Sequence, residues 1–400
     1  MAITDKKKGV WGLDQTYNKI NQGSIWTYNL FDTPIFLSWG SNIYGQLGQN
    51  DVVYRSSPTQ LSGSDYDLTQ VGNCGVFGET NPLRKTDGTL WVVGRNNYGQ
   101  AGQSTTIEYS SPVQVGSGTD WAYCVAVPGY SIKSTKTDGT LWAWGASYYG
   151  EAANNIANPS DWSISSPIQI PGTNWDSGIR KHTGYGNAVN AIKTDGTMWA
   201  WGYNSGGRLG LNNATNYSSP VQIPATTWLR VVTGSDNGGG AGAIKTDGTL
   251  WIWGRADYGE LGHNEGGPSG YSSPKQIPGT TWANGSFGRN TCYATKTDGT
   301  LWSWGRNQKG ELGLNNTASY SSPTQIGSGT DWDQINFQSG REMAAALKTD
   351  GSLWIWGANT DGALGLNSQV NYSSPVQISG TFESLCGSNY GLYAKQTGGS

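Results

Sequence analysis

The sequence predicts an all-β chain folded as a seven-bladed β-propeller of four-stranded antiparallel blades. Two repeated signals and the composition carry this reading. A Ser-Ser-Pro triplet ends at Pro58, Pro112, Pro167, Pro220, Pro274, Pro323 and Pro375, at intervals of 49 to 55 residues. Between triplets a Trp-Gly pair recurs at Trp39-Gly40, Trp144-Gly145, Trp201-Gly202, Trp253-Gly254, Trp304-Gly305 and Trp356-Gly357, with Val93-Gly94 in the remaining copy. The 400 residues include 60 Gly, 20 Trp and 21 Tyr, and such a chain favours short aromatic strands joined by glycine turns over long helices.

Local physics accounts for each element of a repeat, as residues 341–378 illustrate. EMAAALK reads as a strand of small residues. TDG is a hairpin turn in which Gly351 supplies positive φ and Asp350 bonds nearby backbone, and SLWIWG is the returning strand. Leu353 and Ile355 point to one side of that strand and Trp354 and Trp356 to the other, so both faces are apolar and the sheet needs a neighbour on each. GALGLNSQVNYSSPVQI gives a glycine loop and a third strand. The aromatic that follows in each copy (Trp121, Trp175, Trp228, Trp282, Trp332 or Phe382) lies near a fourth. Small residues before TDG, such as Ala191, Gly242 and Ala345, are expected at a crowded central axis. Seven such sheets bury both faces by stacking radially, whereas a β-helix has a far shorter repeat.

The two ends of the chain complete one another. Lys395–Ser400 reads KQTGGS and lacks the LWxWG that follows KTDG from Lys136 and Lys348. The segment from Pro34, PIFLSWG, is an LWxWG copy with no KTDG before it. The N-terminal strand is therefore expected to close the last blade, removing two sheet edges that would invite aggregation. This divides the chain into an arm, 1–33, and a propeller, 34–400.

LWSWGRNQKGELGLNN followed by SSPTQI resembles the repeat of the regulator-of-chromosome-condensation family, and the resemblance runs over nearly all of 34–400. It implies a seven-bladed propeller. The eukaryotic head of that family exchanges nucleotide on a small GTPase and binds chromatin. Bacterial relatives of the fold act as binding modules, among them a protein inhibitor of β-lactamases that uses loops on one propeller face. Charge argues against nucleic acid as a partner: Lys+Arg total 25 against 28 Asp+Glu, a net −3, and the one basic run is Lys6, Lys7 and Lys8.

No catalytic, metal or cofactor site emerges. The two histidines, His182 and His263, fall in different repeats without spaced partners and read as solvated loop residues. The Asp of each TDG recurs at one structural position, which is turn chemistry. Gly238, Gly239 and Gly240 neither open a helix nor precede Lys-Ser/Thr, so they do not form a phosphate loop. Cys74, Cys124 and Cys386 fall at matching distances before their turns and Cys292 elsewhere, so all four are expected as free buried thiols on separate blades. The sequence holds no signal-peptide core and no membrane span.

The arm is read separately. Leu13, Tyr17 and Ile20 follow helical spacing, Asn21-Gln22-Gly23 stops it, and Trp11 and Trp26 flank it. It is either a strap on the propeller or an anchor in another protein. Residues 8–26 resemble short N-terminal arms on virion proteins of tailed bacteriophages of aquatic bacteria. That resemblance implies a non-enzymatic virion structural protein assembled in the host cytoplasm. Its arm would bind other virion proteins, and its propeller, in a tail fibre, spike or other surface component, would bind a host surface protein or glycan. Homo-oligomerisation in the particle stays open. A capsid decoration protein, or a cellular module that binds or inhibits a protein, is the alternative. The expected contact surface is the variable loop after Trp-Gly, with Tyr44, Tyr98, Tyr148, Tyr149, Arg255, Asp257, Tyr258, Lys309 and Asp361, although its tyrosines equally suit packing beneath the next blade. Longer inserts at 152–163 and 263–270 are further candidates.

Overall fold

The computed structural model describes residues 35–400 apart from 64, 68–78, 128–129, 154–162, 186, 233–239, 266–268, 289, 339–341, 360–361, 389–390 and 398–400. The arm with Trp11, Leu13, Tyr17, Ile20 and Trp26 lies outside the described residues, as do Asp361, Cys74 and most of the insert at 152–163. Seven antiparallel sheets form a ring, six with four described strands and one with three. We number the blades along the chain. Blade 1 holds Thr80–Arg84, Leu90–Gly94 and Tyr109–Gln114, and blade 2 begins at Trp121–Val127. Blades 3, 4, 5 and 6 follow, beginning at His182–Tyr185, Trp228–Val232, Trp282–Phe287 and Trp332–Gln338. Blade 7 joins the two parts of the chain.

Strand order within a blade differs from the sequence expectation. In blade 4 the sheet runs Trp228–Val232, Gly240–Lys245, Leu250–Ala256, Ser269–Gln276. The strand opened by the aromatic thus starts the next blade instead of finishing its own. These opening strands pack against those of the adjacent blades, which makes them the innermost. Ala191, Gly242 and Ala345 therefore sit one strand out from the axis, and their small size serves packing between blades. The core lies in those layers: Ile192, Met198 and Ala200 of blade 3 meet Val231, Ala243 and Trp253 of blade 4 with nearly no exposure.

Closure goes further than one strand. Blade 7 runs Phe382–Ser388, Gly391–Gln396, Ile35–Gly40, Arg55–Gln60, two strands from each part of the chain, and Ile35 pairs with Gln396. Its register also corrects the motif reading. Phe382 opposes Gln396 just as Trp332 opposes Lys348, so Gln396 and not Lys395 stands in the KTDG lysine position. The cysteines shift likewise. Cys124 opposes Ser134, two residues before Lys136, while Cys386 opposes Tyr393, three before Gln396. A one-residue offset in a strand reverses the face, so these two positions are not equivalent. Cys124 and Cys292 are free and buried.

Four recurrent contacts explain the repeated letters. Gly310 has φ +82, and a Cβ there would lie 2.5 Å from Ser373 Cα in the next blade; Gly99 faces Ser165 and Gly150 faces Ser218 in the same way. The glycine loop of each blade thus sits directly on the Ser-Ser-Pro strand of its neighbour. The second repeated contact joins blades by hydrogen bonds: Trp144, Trp201, Trp253, Trp304 and Trp356 donate Nε1–H to the carbonyls of Gln100, Glu151, Arg208, Glu260 and Glu311 in the preceding blade, at 2.7 to 2.9 Å. Where Val93 replaces the tryptophan, Asn81 Nδ2 donates to the corresponding carbonyl of Gln46 at 2.8 Å, and Tyr393 Oη donates to it as well.

The third contact lies in the turns, where Asp138 Oδ1 accepts from Thr140 N and Oγ1 at 2.9 and 2.7 Å and Thr140 Oγ1 accepts from Trp142 Nε1 at 2.8 Å. These bonds hold the Asp138 carboxyl below its usual range, the Thr140 hydroxyl foremost. The fourth is a clamp on the KTDG lysine, to which the sequence reading gave no role. Lys136 Nζ lies 4.9 Å from the Trp121 ring and 5.1 Å from the Trp142 ring and pairs with Asp120 at 3.1 Å. Lys85, Lys193, Lys245, Lys296 and Lys348 repeat the two-ring contact. Each ring contributes roughly 0.5–1 kcal/mol at such partly exposed sites.

Candidate binding face

Antiparallel blades place the TDG turns at one end of the ring and the loops after Trp-Gly at the other. Two side-chain positions recur in those loops. Asn42, Asn96, Asn204, Asn307 and Asn359 accept from the backbone N–H five residues on, at 2.6 to 2.9 Å, which fixes the loop's fold-back. A Gln or Glu four residues after that asparagine position accepts from the N–H two residues before itself. Gln46 does this for Tyr44, Gln100 for Tyr98, Glu151 for Tyr149, Glu260 for Tyr258 and Glu311 for Lys309, at 2.5 to 2.9 Å.

The carboxylates in this set are buried, and burial raises them: Glu151 and Glu260 to about 7, Glu311 in the same direction.

On this frame the expected contact residues separate into two groups. Tyr98 packs against Tyr130 and Tyr148, with ring centroids at 5.1 and 5.8 Å, and Arg95 lies over Tyr44 and Tyr130 at 4.9 and 5.0 Å while pairing with Glu79 at 2.5 Å. Tyr44, Tyr98 and Tyr148 are half-buried in this cluster and bridge blades 7, 1 and 2. Tyr149, Arg255, Tyr258 and Lys309 are exposed, and Asp257 is half-buried in an ion pair with Arg255 at 3.0 Å. Tyr149 stacks on Tyr203 at 4.3 Å, and Arg306 lies 5.5 Å from the Tyr258 ring.

A further feature of this face went unread in the sequence. Gly40 pairs with Arg55, Gly94 with Tyr109 and Gly357 with Tyr372, so Val53, Ile107 and Val370 occupy one position in blades 7, 1 and 6. They are 57, 67 and 62% exposed. The same register puts Thr215 and Ala318 there in blades 3 and 5. Blades 6, 7 and 1 are consecutive, and Ile43, Val52 and Tyr54 of blade 7 are exposed beside them. The result is an apolar arc across the closing blade. Each lies 13 residues after the glycine that follows Trp39, Val93 or Trp356 and 5 before the proline of its Ser-Ser-Pro triplet, so the equivalence is present in the spacing, and the structure adds that all three are exposed.

His182 is not a solvated loop residue, and His263 is a loop residue only partly open to solvent. His182 is buried on the innermost strand of blade 3, its ring edge-on to Tyr123 at 4.8 Å, and burial lowers it to about 3, so it stays neutral. His263 is half-buried against Tyr271 at 5.4 Å. Among the described residues no group of three His, Cys, Asp or Glu converges as a metal site, and no helix is long and apolar enough to cross a membrane.

These features define a class of protein: a propeller whose repeated frame presents variable loops on one face. Comparison with known proteins makes the class particular. The chain is an RCC1-like seven-bladed propeller, and residues 37–75, 195–237, 298–347 and 350–388 match the Regulator of chromosome condensation (RCC1) repeat. It is 24% identical to the Ultraviolet-B receptor UVR8 of Arabidopsis thaliana over 375 residues, 90% of this chain and 81% of that protein. It is 26% identical over 376 residues to the mitochondrial RCC1 domain-containing protein RUG3 of the same plant, covering 85% of this chain and 81% of that one. Among solved structures, Prp20p from Saccharomyces cerevisiae, described with its binding properties to Gsp1p and histones, superposes with a TM-score of 0.79 at 15% identity, covering 92% of this chain and 93% of that one. At that identity the likeness speaks for the fold.

Proposed function

We propose that this protein is a non-enzymatic recognition propeller that docks a macromolecular partner on its loop face, and that it does so as a surface component of a bacteriophage particle. The arc of Val53, Ile107 and Val370 carries the first part. Three β-branched residues are more than half exposed at one position of three consecutive blades, with Val52 and Tyr54 exposed beside Val53, and apolar surface gathered on one side of a protein marks an interaction site. Tyr149 and Tyr258 extend the face with exposed aromatic anchors. The virion setting rests on the resemblance of residues 8–26 to phage arms. In that setting the arm joins other virion proteins and the propeller, in a tail fibre or spike, meets a host surface protein or glycan. The relatives favour a second reading, a cellular protein-binding module.

Two measurements separate these readings. Purified wild-type protein should adsorb to susceptible cells and compete with phage. V53D/I107D/V370D should lose adsorption at least tenfold while its melting curve stays unchanged, since the replaced side chains lie in solvent. Absence of the protein from purified particles would end the virion reading. Undiminished partner binding by the triple variant would end the role of the arc in either setting.

A further inference from the structure

The lysine clamp exists in two versions, and the difference between them points to a ligand. In blades 1, 2 and 6 an aspartate stands immediately before the opening aromatic and pairs with the lysine: Asp65 with Lys85, Asp120 with Lys136 and Asp331 with Lys348, at 3.1, 3.1 and 3.2 Å. In blades 3, 4 and 5 the residue there is Asn174, Thr227 or Thr281. Lys193, Lys245 and Lys296 keep both ring contacts, and among the described residues none of the three has a carboxylate within ion-pair distance. The turn aspartate does not differ between the versions. Asp247 Oδ1 accepts from Thr249 N and Oγ1 at 3.0 and 2.6 Å, as Asp138 Oδ1 does from Thr140 in blade 2.

The backbone is also the same in both. Thr246 N donates to Thr227 O at 2.9 Å, and Thr137 N and Thr349 N donate to Asp120 O and Asp331 O at that same distance. The side chain of residue 227 therefore starts where blades 2 and 6 hold a carboxylate. Thr227 is exposed and uncharged, so Lys245 Nζ, 4.9 and 4.3 Å from the Trp228 and Trp251 rings, has the aromatic half of the clamp without the anionic half. A second substitution accompanies the first: Pro171, Pro224 and Pro278 follow the preceding strand in the three blades without the aspartate, where the others have Ser62, Gly116 and Gly327. Loss of the acid goes with gain of an apolar wall.

At Pro224 that wall borders a cavity of about 270 Å³ in the seam between blades 3 and 4. Leu211 and Pro224 come from blade 3, and Trp228, Lys245, Trp251 and Pro274 from blade 4. Among the described residues Lys245 is the one charged member of the lining. We propose that this cavity binds a small ring-shaped carboxylate, with its carboxyl group on Lys245 in the place that blades 2 and 6 give to an aspartate and its ring against the tryptophans and prolines. A bond between an ammonium and a carboxylate is stronger than one between neutral groups, and aromatic walls suit the face of a flat ring. Pockets for small molecules begin at roughly 300 Å³, so the volume fits one ring and not a longer chain. A sugar acid and an aromatic acid share this chemistry.

The test titrates the full chain at constant ionic strength with glucuronate, benzoate, acetate and glucose, and reads binding by calorimetry and tryptophan fluorescence. Saturable binding of glucuronate or benzoate is expected, at least tenfold tighter than that of acetate, which lacks the ring, or glucose, which lacks the charge. Tighter binding of glucuronate identifies a sugar acid as the ligand, and tighter binding of benzoate an aromatic acid. T227D supplies the carboxylate from within the chain, so it should weaken binding at least tenfold while melting at or above the wild-type temperature. L211W fills the cavity from the other blade and should weaken binding as much. K245Q should also lose binding, and because it gives up the ring contacts too, T227D, which keeps them, carries the decision. Undiminished binding by T227D would overturn the site, as would acetate or glucose matching the ring acids, or no saturable binding of any of the four. The site lies on blades 3 and 4 and goes beyond the recognition role of the arc on blades 6, 7 and 1, so either proposal can fail alone.

Discussion

The ring has two unlike arcs. In blades 6, 7 and 1 the loop position four residues after the asparagine carries Ala363, Gln46 and Gln100, none of them titratable, and the outer loop exposes Val370, Val53 and Ile107. In blades 2 to 5 the same loop position carries Glu151, Arg208, Glu260 and Glu311, and the described outer positions are Thr215 and Ala318. One frame therefore supports two surfaces. Gln100 and Glu260 make the same bond, at 2.8 and 2.7 Å, to the N–H of Tyr98 and Tyr258. They differ in that the carboxylate must be desolvated in its charged form and the amide need not. At this loop position the arc around the closing blade thus carries no group that titrates, and that arc carries the apolar contact surface.

The largest expected effect breaks the first arc at its seam. Deleting residues 1–40 removes the strand Ile35–Gly40 from between Gly391–Gln396 and Arg55–Gln60, leaving two unpaired edges in blade 7. Cooperative melting should be lost, whereas deletion of 1–33 should leave a cooperative transition within a few degrees of wild type. Calorimetry of the two truncations decides, and equal behaviour would contradict closure by that strand.

Next in size is the exchange of the two loop types. Glu260 is raised from 4.5 to about 7, chiefly by burial. A raised folded pKa gives stability that is fully present below about 4.5 and lost as pH rises through about 7. E260Q copies the loops of blades 7 and 1, so it should match wild type near pH 4 and exceed it by up to about 3 kcal/mol near pH 8. Q100E should import the loss into blade 1. Denaturant unfolding between pH 4 and 8 reads both, and a pH-independent difference between wild type and E260Q would refute the assignment.

A smaller effect concerns the thiols. Cys124 and Cys292 are buried, and burial raises both thiols well above their ordinary value. Neither should react with a thiol reagent at pH 8 until the chain unfolds, and rapid labelling of either in the native state would contradict its packing. The smallest effect expected is from T215D, which places a charge on the polar arc at the position of Val370. Partner binding and melting temperature should both stay as in wild type, and a loss of binding comparable to that of V53D/I107D/V370D would remove the distinction between the arcs.

Much of this architecture is legible in the sequence because it is local and repeated. The TDG turn follows from one glycine and one aspartate, the double-faced LWxW strand from its alternation, and the number of blades from counting triplets. The split motif announces closure of the ring. What the sequence leaves open depends on which residues meet across blades. The aromatic after each Ser-Ser-Pro strand carries no mark that it opens the next blade, since a strand's neighbour is set by the turn of the ring and not by its own residues. The one-residue displacement of Gln396 arises because pairing follows the hydrogen-bond ladder, whatever letters resemble a motif. His182 reads as a loop residue until an inner strand encloses it. Val53, Ile107 and Val370 hold one place in the repeat, and only their exposure on consecutive blades waits for the structure. The hydrogen bond from Arg180 to Gly285 lies further still from sequence reading, since it spans 105 residues. The chain by itself thus determines its repeat and its turns, because those rest on contacts within some fifty residues, and it marks its ring by the motif split between Pro34 and Lys395. Only the closed ring decides which loops share an arc and which side chains meet over the axis, because those contacts exist once seven blades have come together.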